Sequence, residues 1–373
     1  PLPRGSSLGL WVRGPGPEDG RRFQHHARGR YALEAALACV GLRKGHGTLL
    51  LPAYHCRTML DPAVAQGIRV QVYPLRPDLS PDLDALRTRL ADLRGQPKAL
   101  LLTHFFGFVQ PELAAIQTLC EAEGCELIED ASHAFVLDPS LASSPQLAPG
   151  LATTAATGIA SPYKFLPSPD GGLLWTRGPL PVPPRPATWR AELRAWLHFG
   201  RALVSAEASR PPGAALEPVD GAGPALQGLE AVRSPSPRFL DGERGRAPLR
   251  ISRWVQRHAR VDRIASARRA NYLRLSRGLT GLRHARALHP QLDEFTVPYM
   301  FPLLLEEAEP HFTRLKVQGL PIWRWDELLD SDCPTSQSYR QRLFHLPCHE
   351  GLEADAVDWM VERLRHELSG AAT

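Results

Sequence analysis

Lys164 is the residue whose type and surroundings best suit covalent chemistry in this chain. It stands between two aromatic residues in the run SPYKFLP, just ahead of Asp170 and two glycines, and it is one of only four lysines among 44 basic side chains. Arginine stays protonated, whereas a lysine amine in an apolar setting can lose its proton and attack a carbonyl carbon. We therefore expect Lys164 to form a Schiff base. The alternative is an ordinary solvated lysine in a chain whose composition favours arginine.

Pyridoxal phosphate is the cofactor that such a lysine typically holds. Its ring nitrogen needs a carboxylate, its phosphate needs N–H donors at a helix start, and its ring needs a flat or apolar neighbour. Asp130 ends an apolar strand, where a buried carboxylate needs a cationic partner such as a pyridinium; capping the next helix is its alternative role. Glu129 is the competing acid, but strand alternation turns it to the other face of the sheet.

Five further residues could complete such a site. Gly29 precedes the first amphipathic helix, whose open N–H groups suit a phosphate, and Ser161 could donate its hydroxyl to the same group. Tyr54 and His55 follow a strand end, where they could either cover the ring or pack in the core. His133 lies three residues after the candidate carboxylate and could meet the ring hydroxyl, with a purely structural histidine as the alternative.

The elements that must position these residues alternate along the first half of the chain. Apolar runs predict strands at 48–51, 70–73, 99–103 and 126–129, and helical periodicity predicts helices at 31–42, 81–93 and 111–123. This alternation favours a largely parallel α/β sheet with right-handed crossovers. Ligands of such sheets bind beyond the carboxyl ends of the strands, where the candidate residues lie.

The second half of the chain changes in composition. From about 177 to 250 it is rich in Pro, Gly, Arg and Ser, with a helical island from Trp189 to Ala206. A helix near 251–279, an apolar strand at 297–304 and a helix at 353–368 follow. We predict a cofactor-binding domain at 1–180, a Pro/Gly-rich linker or lid at 181–250 and a small C-terminal domain at 251–373.

Composition excludes several classes of function for the 373 residues. The net charge is +5 and the pI is about 9.0, but the sequence has no long Lys/Arg block of the kind that binds along a phosphate backbone, so we expect no nucleic-acid partner. The sequence has no apolar run long enough to span a membrane, so we expect that the chain does not cross one. The six cysteines lack the spacing of a metal site, and reduced thiols fit a cytoplasmic protein.

The order of these motifs resembles the DegT/StrS-type (DegT/DnrJ/EryC/StrS) sugar aminotransferases. The similarity covers residues 25–176 and rests on GxxAL, LPAYH, THFFG, IEDASH, SPYK and DGG in that order. It implies a fold-type-I pyridoxal phosphate-dependent transferase of the α/β class. Such a protein has a mostly parallel seven-stranded sheet in its large domain and a smaller C-terminal α/β domain.

The resemblance also implies site residues, carried over by position. Lys164 matches the Schiff-base lysine, Asp130 the ring-nitrogen carboxylate, Ser161 a phosphate-binding serine, and His133 a residue beside the ring. Gly29 and Arg30 fall where a Gly-Thr pair usually holds the phosphate. Cys56 falls where an aromatic residue often stacks on the ring, which assigns that role to Tyr54 or His55 instead. The usual Asn-Tyr-Arg-Met segment that reaches into the partner subunit is replaced by Pro-rich sequence.

By this resemblance the chain transfers an amino group, from a donor such as glutamate, to a keto sugar that is nucleotide-linked. It would act as a homodimer in the cytoplasm, in polysaccharide or secondary-metabolite biosynthesis. Two alternatives stay open. One is another pyridoxal phosphate reaction on a sugar, such as dehydration or elimination. The other is a regulatory or scaffold protein that keeps the fold without catalysis.

Overall fold

A computed structural model describes residues 20–134, 155–204, 234–294 and 296–369. Its larger sheet has seven strands in the order β1-β7-β6-β5-β4-β2-β3, and β7 alone runs against the others. The strands are β1 Arg22–His26, β2 Thr48–Pro52, β3 Arg69–Tyr73, β4 Lys98–Thr103, β5 Glu126–Ala131, β6 Thr157–Ala160 and β7 Gly172–Thr176. The mostly parallel seven-stranded sheet implied by the resemblance is confirmed.

Helices cover both faces of this sheet. The helices of the first half are α1 Gly29–Cys39, α2 Arg57–Ala65, α3 Leu83–Asp92 and α4 Leu113–Ala122. In β2, Leu49 and Leu51 pack in the core that contains α1 and α2, and Leu50 packs in the core that contains α3 and α4. Strands buried on both faces need apolar residues at every position, which is why these strands were continuous apolar runs in the sequence.

The second half builds a smaller antiparallel sheet with helices packed beside it. Its strands are β8 Ala285–Ala287, β9 Met300–Leu305 and β10 Leu343–Pro347, in the order β10-β9-β8. The helices are α5 Trp189–Val204, α6 Arg250–His258, α7 Val261–Gly278, α8 His311–Val317, α9 Pro334–Arg342 and α10 Ala354–Ser369. None of the helices in the described part of the chain is long and apolar enough to cross a membrane.

Two elements of the second half differ from the prediction. The single helix expected near 251–279 is two helices, because Ala259 takes an extended conformation (φ −63°, ψ 137°) between them. The strand expected at 297–304 begins only at Met300, because Pro298 has no N–H and Tyr299 N–H donates to the Phe106 carbonyl at 2.8 Å instead. The boundaries at residues 180 and 250 stay a prediction.

Candidate active site

Lys164 ends a short turn that follows β6 directly, at the carboxyl edge of the large sheet. The turn is a 3₁₀ helix over Pro162–Lys164, closed by Lys164 N–H donating to the Ser161 carbonyl at 3.0 Å. Arg268 of α7 donates to the Lys164 carbonyl at 3.1 Å. The lysine is therefore held by its main chain from two sides, and its side chain lines a cavity between the two halves of the chain.

The charge state of Lys164 differs from the expectation of an amine that loses its proton in an apolar setting. Burial opposes the charge, but Tyr299, Tyr163, Cys56 and Asp130 favour it, and the pKa of Lys164 is raised above its ordinary value. Its Nζ lies 5.4 Å from the centroid of the Tyr299 ring. In the cofactor-free protein the lysine is thus an ammonium, because its polar and aromatic neighbours outweigh the loss of water.

Asp130 is buried near the end of β5 and lines a second, smaller cavity together with Lys164. Its Oδ1 accepts the Ser132 N–H at 2.8 Å, which fixes the carboxylate. Glu129 faces elsewhere, since its carboxylate accepts the Ala155 N–H at 3.2 Å and lies 3.7 Å from His104 Nε2. The alternation of the strand separates the two acids as the sequence predicted.

His133 lines both cavities and is neutral. Burial, followed by electrostatic repulsion from Lys164 and then by the interaction with His345, lowers the pKa of His133 well below its usual value. Its Nδ1 accepts the Phe106 N–H at 3.5 Å, so the proton of the neutral ring resides on Nε2. An imidazole in this state can donate one hydrogen bond into the cavity, as contact with a ring hydroxyl would require.

The start of α1 forms a cradle with two serines. Arg28, the residue before the helix, gives no side-chain cap to its first turn. Ser161 Oγ donates to Ser132 Oγ at 3.1 Å, and a Cβ on Gly29 would lie only 2.1 Å from Ser161 Oγ. Glycine is therefore needed for the hydroxyls to approach the helix end this closely. Two hydroxyls at a helix N-terminus make a site for an anionic oxygen group.

Arg30 also lines both cavities, but its guanidinium is engaged. Its Nη1 donates to the Arg238 carbonyl, so the side chain is tied to the segment that precedes α6. That segment is itself fastened to the large sheet domain. Ser236 donates from its N–H and Oγ to Asp61 at 2.8 and 2.6 Å, and the Tyr31 hydroxyl bonds Leu240.

The two candidates for covering the ring have other surroundings. Tyr54 is fully buried, its hydroxyl lies 2.9 Å from His345 Nε2, and it lines neither cavity. His55 borders the larger cavity, but its Nδ1 donates to the Pro52 and Ala53 carbonyls at 3.1 and 3.2 Å, and burial lowers its pKa to about 4. The structure does not bring Tyr54 into the cavity, and it gives His55 a main-chain anchoring role.

Sequence reasoning missed several residues that line the cavities. Ser132, Tyr163, Tyr299 and Trp325 contribute to one or both of them. Ser132 could have been found, since it directly follows the strand end that carries Asp130. Trp325 lies about half the chain away from that strand, so no local pattern links it to the site.

The larger cavity has a volume of about 640 Å³ and opens between the two sheets. Its lining contains seven Lys or Arg side chains and four Asp or Glu side chains, an excess of positive charge. The smaller cavity, of about 50 Å³, holds Gly29, Asp130, Ser132 and Ser161 and shares Lys164 with the larger one. In the described part of the chain, no cluster of acidic, His and Cys side chains could hold a metal ion.

Residues 26–178 match the model of the DegT/DnrJ/EryC1/StrS aminotransferase family. No curated protein matches the chain. The structure is similar to a DegT/DnrJ/EryC1/StrS aminotransferase from Brucella abortus, with 17% identity, TM-score 0.62, and coverage of 97% of this chain and 92% of that one. It is also similar to the sugar aminotransferase CalS13 from Micromonospora echinospora, with 18% identity, TM-score 0.60, and coverage of 96% of this chain and 94% of that one. A third similar structure is the putative sugar aminotransferase Spr1654 from Streptococcus pneumoniae in its PMP form, with 12% identity, TM-score 0.63, and coverage of 97% of this chain and 92% of that one. At these identities the structural likeness establishes the fold.

Proposed function

We propose that this chain, whose residues 26–178 match the model of the DegT/DnrJ/EryC1/StrS aminotransferase family, is a member of that family and uses pyridoxal phosphate to move an amino group from a donor such as glutamate to a nucleotide-linked keto sugar. One observation carries the proposal. Lys164, Asp130, His133 and Ser161 line one small cavity at the carboxyl edge of the sheet, with Gly29 at a helix start beside them. Each supplies a different group that the cofactor needs.

The residues present fit pyridoxal phosphate. Lys164 would hold its aldehyde, and Asp130 its ring nitrogen. Because Gly29 has no Cβ, the hydroxyls of Ser132 and Ser161 stay accessible to a phosphate at the start of α1. His133 would donate from Nε2 to the ring oxygen. When bound, the cofactor supplies an electron sink that stabilises negative charge at the carbon bearing the amine.

The side chains then have defined tasks in amino transfer. Asp130 is fixed by the Ser132 N–H and presents a carboxylate to a cationic ring nitrogen. The carboxylate of Asp130 is one of the groups that raise the pKa of Lys164. A cationic ring nitrogen beside Asp130 would offset that negative charge, so the pKa of Lys164 would fall and its ammonium would lose a proton more easily. Once released from the cofactor, the amine of Lys164 can accept and return a proton. His133 stays neutral throughout, because burial disfavours its second proton.

The larger cavity supports an anionic sugar derivative as the acceptor. It adjoins Lys164, its volume of about 640 Å³ lies in the range of small-molecule sites, and Arg28, Arg57 and Arg238 lie in its lining. Guanidinium groups recognise phosphate oxygens well. The glutamate donor, the homodimer and the cytoplasmic location rest on the family resemblance alone.

A visible absorbance scan tests the proposal. Purified protein mixed with pyridoxal phosphate should gain the visible band of lysine-bound cofactor, and glutamate should remove it. Lys164→Ala should abolish the band and lower amino transfer by about 10²–10⁴-fold or more. Lys44→Ala, which removes an exposed lysine that lines neither cavity, is the matched control and should keep both the band and the activity.

Three outcomes would count against it. Absence of any band in the native protein would favour the scaffold alternative. A band that Lys164→Ala keeps would remove the lysine from its role. A band that glutamate leaves unchanged, while a keto sugar nucleotide is dehydrated, would favour the other cofactor-dependent reactions. Screening of keto sugars with protein whose bound cofactor has first taken up the amino group of the donor then identifies the acceptor.

A further inference from the structure

Trp325 is an aromatic residue that lines the site but has no task in the proposed function. It lies in the loop between α8 and α9 and lines both cavities. It is half-buried, and its packed side contacts Tyr54 and Phe106, with ring centroids 5.0 and 6.1 Å away. The indole thus rests on the core while part of its surface faces the space beside Lys164.

The loop around Trp325 is held rigidly on both sides. Trp323 and His345 exchange two main-chain hydrogen bonds of 3.3 and 2.8 Å, which join the loop to β10. Arg340 donates to the Asp326 carbonyl at 2.7 Å. His345 also meets the indole edge-on at 5.2 Å. A side chain fixed in this way loses little conformational freedom when a ligand contacts it, which favours binding.

The other aromatic rings that line the smaller cavity already pack in part against neighbouring side chains. Of the described residues that line it, His133 and Tyr163 also carry flat rings. His133 packs on Tyr299 with centroids 4.5 Å apart, and the Arg28 guanidinium lies 4.7 Å above the Tyr163 ring. Cys56, on the wall shared by both cavities, offers only a thiol, whose Sγ lies 2.8 Å from Thr58 Oγ1.

We propose that Trp325 provides the aromatic contact for the bound pyridine ring, in place of an aromatic residue at position 56. The inference rests on the proposed function, because it concerns how that cofactor is held. An aromatic ring needs a flat or apolar neighbour when it leaves water. Trp325 supplies one from the second half of the chain, so cofactor binding joins the smaller sheet to the larger one.

Cofactor affinity, measured by titrating the visible absorbance and the tryptophan fluorescence, tests this contact without any assay of activity. Trp325→Ala should weaken pyridoxal phosphate binding by roughly tenfold, in keeping with the value of an aromatic contact. Trp325→Phe should bind within about threefold of the native protein. It should also lose the largest single share of the fluorescence quenching that the cofactor causes.

Two further variants make the result specific. Trp323→Phe removes a neighbouring indole that lines only the larger cavity, and it should lose less of the quenching than Trp325→Phe. Cys56→Phe combined with Trp325→Ala should regain most of the lost affinity, because it returns an aromatic side chain to the lining of the smaller cavity.

The outcomes separate this inference from the proposed function. If the native protein gives no visible band, the proposed function fails first. If the native protein binds and Trp325→Ala binds equally tightly, only the role of Trp325 is refuted. Should Trp325→Ala fail to fold, Trp325→Phe decides: unchanged quenching in that variant overturns the inference, and its loss supports it.

Discussion

Gly29→Ala tests the anion cradle at the start of α1. The added methyl would lie 2.1 Å from Ser161 Oγ, far inside van der Waals contact, so the hydroxyl must rotate away. Ser161 is buried, and rotation breaks its 3.1 Å hydrogen bond to Ser132. Loss of that bond costs about 1 kcal/mol. With the crowding that persists, the free energy of unfolding of the cofactor-free protein should fall by about 1–3 kcal/mol.

The same displacement should weaken cofactor binding. A hydrogen bond to a charged group contributes about 1.5–3 kcal/mol, so losing the Ser161 hydroxyl from the phosphate should weaken affinity by about 10- to 100-fold. Chemical denaturation measures the first effect, and titration of the visible absorbance measures the second.

A double-mutant cycle isolates the cause. Ser161→Ala removes the clashing oxygen, and its Cβ would lie 3.5 Å from the new methyl, an ordinary contact. Gly29→Ala should then cost less than about 0.5 kcal/mol in the Ser161→Ala background. Gly200→Ala is the control, because its methyl meets nothing within 4 Å on α5 and should stabilise slightly. Additive effects of Gly29→Ala and Ser161→Ala would refute the geometry of the cradle.

Three other predictions follow from the site. Arg268→Met breaks the 2.9 Å ion pair with Glu350 and the bond to the Lys164 carbonyl, so the free energy of unfolding should fall by about 3 kcal/mol; an unchanged denaturation midpoint would contradict this. Asp130→Asn should keep cofactor binding but slow amino transfer by about 10²–10³-fold, and a native rate in stopped-flow assays would remove the carboxylate from its role. Burial lowers the pKa of His345 to about 3 and of His55 to about 4. The unfolded chain binds protons at these two histidines at about pH 6.5, whereas the folded chain binds them only near pH 4 and pH 3. The free energy of unfolding is therefore full above about pH 6.5 and falls as the pH is lowered from there toward about pH 4. A Tm that stays constant over this window would oppose the prediction.

The sequence allowed the large sheet to be predicted because strands buried on both faces leave uninterrupted apolar runs. The positions of Asp130, His133 and Lys164 followed from the same rule, since residues just past parallel strands meet at one edge. Local pattern could not decide which of these side chains face the cavity. Tyr54 stands at a strand end as well, yet the second half of the chain packs over it and closes it into the core.

Trp325 shows the limit of such reasoning most clearly. Its place beside Lys164 depends on how the loop after α8 docks against β10, and sequence separation hides that contact. The proton of Lys164 is a similar case. An aromatic flank suggested an apolar setting, but the pKa depends on Tyr299 and Asp130, which only the folded chain brings near. Long-range packing therefore determines the chemistry that short motifs only suggest.

The most direct test of the central claim is to find which residue binds the cofactor. The protein is incubated with pyridoxal phosphate, treated with borohydride so that the bond between amine and cofactor becomes stable, and mapped by peptide mass spectrometry. We expect the cofactor mass on the peptide that carries Lys164 and on no other lysine, at one cofactor per chain. Labelling of Lys44 or Lys316 to the same extent, or no labelling of Lys164, would contradict the account.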